Sequence, residues 1–170
     1  MKIIGAFCIV FATSFLGFDM SNTLTNRTRQ LKQLIVSLQM MEAEMVYSKR
    51  TLQQIFHVLR SKLDYPITDF YDNLTKRLNG RVTNFYSIWS QELESLRTIS
   101  SLTANDVEIL QQFGRTIGQH SAHEQRKHIQ LTIYHLQLEL DQSRDKQQRY
   151  ATMLKTIGFL FGLLIVILLF

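Results

Sequence analysis

The sequence predicts an all-α protein: an antiparallel helical bundle of about six helices between N- and C-terminal transmembrane segments. Three observations lead there. Residues 3–18 and 157–170 are apolar runs without a charged side chain, and nearly all the charge lies between them. The intervening sequence repeats apolar residues at three- and four-residue spacing, and no stretch alternates convincingly enough for a strand. The chain has one proline and seven glycines, so short turns rather than long linkers join its elements.

The terminal runs come first. As a helix, residues 3–18 reach about 24 Å at ~1.5 Å per residue, slightly short of the roughly 20 apolar residues of a full crossing. Flanking residues through Met20, and Met153 with Thr156, extend the two runs. The expected division is therefore 1–20, 21–153 and 154–170: transmembrane segment, helical bundle domain, transmembrane segment. A cleaved signal peptide is the competing reading of the N-terminus, with one Lys, a short apolar core, and then Ala12, Thr13 and Ser14. The flanks set orientation. Arg27, Arg29 and Lys32 follow the first run; Arg144, Lys146, Arg149 and Lys155 precede the second. By the positive-inside rule the middle domain faces the cytoplasm. These seven cations are predicted to lie at the membrane-facing end, where each adds about 1 kcal/mol against an anionic leaflet. Gly158 and Gly162 are spaced for close approach of a partner helix.

The first helix of the domain, over 26–47, carries Leu31, Leu34, Ile35, Leu38, Met41 and Met45 on one face. Thr51 with Gln54 reads as a capping box, opening a second helix that buries Leu52, Ile55, Phe56 and Leu59. Pro66 disfavours a helical residue before it and suits the start of a new helix. That third helix uses Ile67, Phe70, Tyr71, Leu74 and Leu78, and stops at Asn79-Gly80. A fourth uses Phe85, Ile88, Trp89, Leu93 and Leu96. Thr103 and Asp106 open a fifth, through Val107, Leu110, Phe113 and Ile117, with Gly118 as its stop. Ser121 and Glu124 open the last, through Ile129, Thr132, Ile133, Leu136 and Leu140, long enough to run on into the membrane. Because the first and last helices both join the membrane, they are expected side by side in the bundle.

The chemistry of the sequence points away from catalysis. It has no phosphate loop, nucleophile elbow or Gly-rich dinucleotide turn. Cys8, the only cysteine, lies inside the first apolar run, which leaves no disulfide framework and no cysteine-based metal site. The net charge of +5 is modest and clustered near the apolar runs, a membrane-surface pattern rather than a nucleic-acid footprint. No catalytic residue and no cofactor are expected. The alternative is a membrane-anchored metal-binding or enzymatic protein using His120, His123 and His128, with His135 seven residues past His128 on the same helix face. Glu124 is the only acid close to them, and a zinc site needs more converging ligands. Two acidic groups stand out as partner-binding candidates. Glu42 and Glu44, two apart, point to different faces of the first helix. Asp64, Asp69 and Asp72 form a negative patch expected away from the basic end.

Several blocks resemble a known family. They are Arg29-Gln30-Leu31, Leu38-Gln39, and the run Met41-Glu42-Ala43-Glu44-Met45-Val46-Tyr47. Phe113-Gly114-Arg115-Thr116-Ile117-Gly118, Gln125-Arg126-Lys127-His128-Ile129, His135-Leu136 and Lys155-Thr156-Ile157-Gly158-Phe159-Leu160 complete the set. Together they resemble the stage III sporulation protein AB family over the whole chain, with Leu52 standing where the family commonly has Pro. The resemblance implies a fold similar to the cytoplasmic domains of type II secretion platform proteins. It implies a non-enzymatic scaffold in the mother cell–forespore channel complex of a spore-forming bacterium. The implied place is the mother-cell membrane. The implied partners are other stage III sporulation channel proteins, including a secretion-type ATPase; further copies of the chain are a possible partner, and nucleic acid is not one.

Overall fold

The computed structural model describes the backbone of residues 2–48, 50–78, 84–117 and 122–169, and the side chains of 22–48, 50–78, 84–117, 124–150 and 153. Six helices follow one another: α1 Lys2–Tyr47, α2 Leu52–Leu59, α3 Ile67–Leu78, α4 Phe85–Ile99, α5 Ala104–Thr116 and α6 Ala122–Leu169. No strand occurs among the described residues.

Local signals place the helix starts. Thr51 accepts from the Gln54 amide while the Gln54 side chain accepts from the Thr51 amide, so α2 has a complete capping box. Thr103 and Asp106 do the same for α5. Asn84 caps α4 by accepting from Ser87 N. Gln53 on α2 ties to the carbonyl of Leu78 at the end of α3. The Tyr65–Pro66 peptide before α3 is cis.

The long helices α1 and α6 run antiparallel. Their cross-helix bonds fix the register: Thr25 with Gln147, Arg27 with Glu139, Thr28 with Ser143, and Glu42 with Arg126 and Gln130. As numbers rise along α1 they fall along α6, so residues before Thr25 and after Gln147 leave the bundle at the same end. The side-by-side placement expected for the first and last helices holds. The four shorter helices fill in between: α2 and α3 pack on each other and on α1, α4 bridges α3 and α5, and α5 returns to α6.

The packed faces are those the periodicity marks. Leu31, Leu34, Leu38 and Met41 of α1 are fully buried, as are Ile55, Phe56, Leu59, Ile67 and Leu74. Each such side chain contributes about 1.5–3 kcal/mol by leaving water. Trp89 sits at the centre, with the rings of Phe70 at 5.1 Å, Phe113 at 5.7 Å and Phe56 at 6.2 Å. Its indole Nε1 donates to Leu110 O at 2.8 Å, so its one polar atom is satisfied inside the core. Leu52, Phe85, Ile88 and Ile133 are only partly buried, at the margins of this core.

Several expectations fall outside the described residues. They are the side chains of both apolar runs with Cys8, Gly158 and Gly162, the stops at Asn79-Gly80 and Gly118, the Ser121 cap, and the side chains of His120, His123 and Lys155. Among the described residues no helix is long and apolar enough to cross a membrane. The backbone helices α1 and α6 nonetheless continue through residues 3–18 and 157–169.

Candidate interaction site

The end of the bundle where α1 and α6 lead out is built on a buried polar network. Arg27 lies on the same stripe of α1 as Leu31 and Leu34, and its guanidinium turns inward. Nε and Nη2 each donate to an Asp106 carboxylate oxygen at 2.8 Å, a two-pronged pair. Nη2 also donates to Glu139 Oε2 at 2.7 Å. The side chains of Arg27 and Asp106 are 6% and 0% exposed. Asp106 simultaneously accepts from the Thr103 amide at 2.8 Å as part of the α5 cap, and Asn105 donates to the other Glu139 oxygen at 2.7 Å.

One guanidinium thus faces two carboxylates. The positive N-terminal end of α5 supplies the rest of the compensating potential. The hydrogen bond that Arg27 donates to Asp106 raises the Arg27 pKa above its ordinary value, against the opposing effect of burial. Thr28, next to Arg27 on α1, and Ser143, one turn past Glu139 on α6, pair their hydroxyls at 2.9 Å, and Ser143 is fully buried. The network locks α1, α5 and α6 together just below the two apolar runs.

Arg27 therefore corrects the expectation that it is a membrane-surface cation. A guanidinium with three carboxylate bonds inside the bundle has no reason to reach a leaflet. Its place at i−4 from Leu31, on the apolar stripe, was the signal in the sequence. Arg29, Lys32, Arg144, Lys146 and Arg149 are exposed. The α1–α6 register gathers these five around the same end. Arg144 makes one long pair with Asp141, at 3.4 Å, on the solvent side.

The acidic candidates are mostly engaged within the chain. Glu42 accepts from Arg126 Nε at 2.8 Å and Gln130 at 2.9 Å, closing α1 on α6 at the far end. Glu44 faces the other way and pairs with Arg50 at 3.1 Å. Asp72 pairs with Arg60 and Lys76, each at 2.6 Å, and these bonds, Lys76 first, hold its carboxyl below the ordinary carboxylate range. Asp69 is exposed in the first turn of α3. Asp64 accepts from Gln33 of α1 at 2.7 Å, next to Lys32, so this patch reaches toward the basic end rather than lying away from it. Of the histidines, His135 is exposed with its ring against Tyr134, and His128 is half-buried. Among the described residues no three His, Cys, Asp or Glu side chains converge as a metal site would require.

The network on Arg27, Asp106 and Glu139 was not foreseen. Asp106 was legible as a capping residue, but Arg27 stands 79 positions from Asp106 and 112 from Glu139, which one-dimensional spacing does not reveal.

Comparison with known proteins adds three findings. The sequence profile of the family described as stage III sporulation protein AB matches residues 2–170. Stage III sporulation protein AB of Bacillus subtilis (strain 168) is 34% identical over 169 residues, which is 99% of each chain. A solved structure of a stage III sporulation protein AB superposes with a TM-score of 0.68 at 29% identity, covering 73% of this chain and 98% of the other.

Proposed function

Because the chain belongs to the stage III sporulation protein AB family and so acts in stage III of sporulation, we propose that it is a membrane-anchored, non-enzymatic platform in that stage's channel complex. One observation carries this reading. The α1–α6 register sends both apolar runs out of the bundle at one end, and five exposed cations ring that end. In this reading residues 1–20 and 154–170 anchor the chain in the mother-cell membrane. Arg29, Lys32, Arg144, Lys146 and Arg149 meet anionic headgroups, and Lys155 joins them. The helical domain then stands in the cytoplasm, resembling a type II secretion platform domain, where it links a secretion-type ATPase to the membrane components.

The Arg27 network suits this role. A platform that transmits force between an ATPase and a membrane part must keep its two membrane helices in fixed register. A buried, multiply hydrogen-bonded ion network tolerates less slippage than apolar contacts alone. No chemistry is asked of the domain, and partners would dock on its surface.

The test is thiol accessibility in intact sporulating cells. Cys8→Ser removes the native thiol, and single cysteines go at the exposed positions Ser61 and Ser95. Protection from an impermeant thiol reagent until lysis is expected for a cytoplasmic domain. Labelling before lysis would place the domain on the far side of the membrane and end the ATPase-platform reading.

A further inference from the structure

One face of the α1–α6 layer carries apolar side chains that remain exposed among the described residues. Val36 of α1 is 45% exposed, and Leu131, Tyr134 and Leu138 of α6 are 54%, 57% and 44% exposed. The three α6 residues fall at i, i+3 and i+7, one stripe of a helix. Val36, Tyr134 and Leu138 line a groove of about 500 Å³ between the two helices, together with the charged side chains of Lys32, Asp141 and Arg144. A contiguous apolar stripe beside charged side chains marks an interaction face rather than scattered surface residues.

The charges indicate the occupant. Arg29 and Lys32 make no ion pair among the described residues, and Asp141 has only its long contact to Arg144. By the α1–α6 register, Arg29 stands level with Asp141, Lys32 with Leu138, and Val36 with Tyr134. A two-fold axis parallel to the long helices keeps these levels and sets α1 of one copy against α6 of the other. It brings Arg29 and Lys32 to Asp141 of the second copy, leaving Arg144, Lys146 and Arg149 for the headgroups, and Val36 to Tyr134 of the second copy. Unlike charges and apolar groups meet at matching heights, as a self-complementary interface requires.

We infer that this face is a homodimer interface, in which the α1–α6 layers of two copies pack face to face as four antiparallel helices. The inference rests on the anchoring proposed above. Anchors at one end of the bundle point all copies in a bilayer the same way, which an axis along the membrane normal demands. Confinement to the bilayer also raises the effective concentration, so a face of modest area can suffice.

Cross-linking of the full chain in its membranes tests this. In a Cys8→Ser background, one tagged copy carries Val36→Cys and a differently tagged copy carries Tyr134→Cys. A short bismaleimide is expected to give a double-mass species bearing both tags. Adding Leu138→Arg, an exposed substitution, should cut that species about tenfold or more while the melting temperature holds. The pair Glu42→Cys and Arg126→Cys within one chain is the control for fold and thiol reactivity. Control cross-linking without the mixed-tag species would overturn the dimer, as would a mixed-tag yield unchanged by Leu138→Arg. Release of the chain from membranes by alkaline carbonate would instead overturn the anchoring on which the dimer rests.

Discussion

The indole of Trp89 lies directly on the backbone of Gly114. A Cβ placed on Gly114 would overlap Cδ1 and Nε1 of that ring, so α4 and α5 approach each other only because position 114 has no side chain. The approach also delivers the indole N–H to Leu110 O, one turn earlier on α5. Gly114→Ala is therefore expected to destabilise the bundle by about 1–3 kcal/mol through overpacking, although alanine is the better helix former. Trp89 is the only tryptophan. Its emission spectrum reports the displacement directly, and thermal melting reports the cost. Trp89→Phe should relieve much of that cost, making the double variant non-additive. An additive pair would show that the two residues do not couple.

Arg27 and Arg29, two positions apart, should behave as opposites. Arg27→Ala leaves Asp106 and Glu139 facing each other inside the bundle, and breaking a buried network in this way costs about 3–5 kcal/mol. Arg29→Ala removes an exposed side chain and should change stability by no more than about 0.5 kcal/mol. Circular-dichroism melts of the two variants in detergent decide the matter. Equal melting temperatures would contradict the structural role assigned to Arg27.

Tyr71 makes a pH prediction. Its hydroxyl is buried and bonds Ser37 at 2.7 Å. Burial raises its pKa above the ordinary tyrosine value, and the Ser37 bond opposes that only in part. The folded state thus favours the neutral phenol. The resulting stabilisation is complete below the ordinary tyrosine pKa of about 10 and is lost as pH rises through the raised folded value. The tyrosinate absorbance of Tyr71, taken as the difference between the parent chain and Tyr71→Phe, should appear only when helicity collapses in alkali. A difference signal in the fully helical protein near pH 10 would contradict this assignment.

Glu42 and Glu44 separate folding from docking. Both pairs are partly solvated, with glutamate side chains 19% and 24% exposed, so each should contribute no more than about 1 kcal/mol. Glu42→Gln and Glu44→Gln are expected to melt within a few degrees of the parent. A variant that melts normally and still fails to sporulate has lost a partner contact. A variant that fails and also melts early has lost the α1–α6 clasp, or the Glu44–Arg50 tie.

The helices themselves were readable because their signals are local. Thr51 with Gln54 and Thr103 with Asp106 are caps that four residues can specify, and the α1 stripe from Leu31 to Met41 needs only the helical period. What stayed hidden depends on which helices meet. Trp89 looks like any core aromatic until α5 brings Gly114 beneath it. Arg27 counts as a flanking cation until α5 and α6 bring Asp106 and Glu139 around it. Asp72 reads as part of an acidic patch until Arg60 and Lys76 neutralise it. Surface and core are properties of the assembled bundle, so residue type assigned the charged positions to the surface and erred where a partner awaited them inside.

The remaining cations make the last prediction, which separates a lipid-facing rim from a merely solvated one. Arg29, Lys32, Arg144, Lys146 and Arg149 are exposed, and apart from the Arg144–Asp141 contact none makes an ion pair among the described residues. Changing all five to Gln should leave helicity and melting nearly unchanged, because exposed charges contribute little to folding. Against an anionic leaflet each contributes about 1 kcal/mol, and basic flanks also set which way a membrane helix inserts. The five-fold variant is therefore expected to show mixed topology. A cysteine at Ser61 should become partly reactive to an impermeant reagent in intact cells, whereas in the parent background it stays protected. Full protection in the variant would show that these side chains do not set orientation, and the lipid-facing role would fall while the buried Arg27 lock stood.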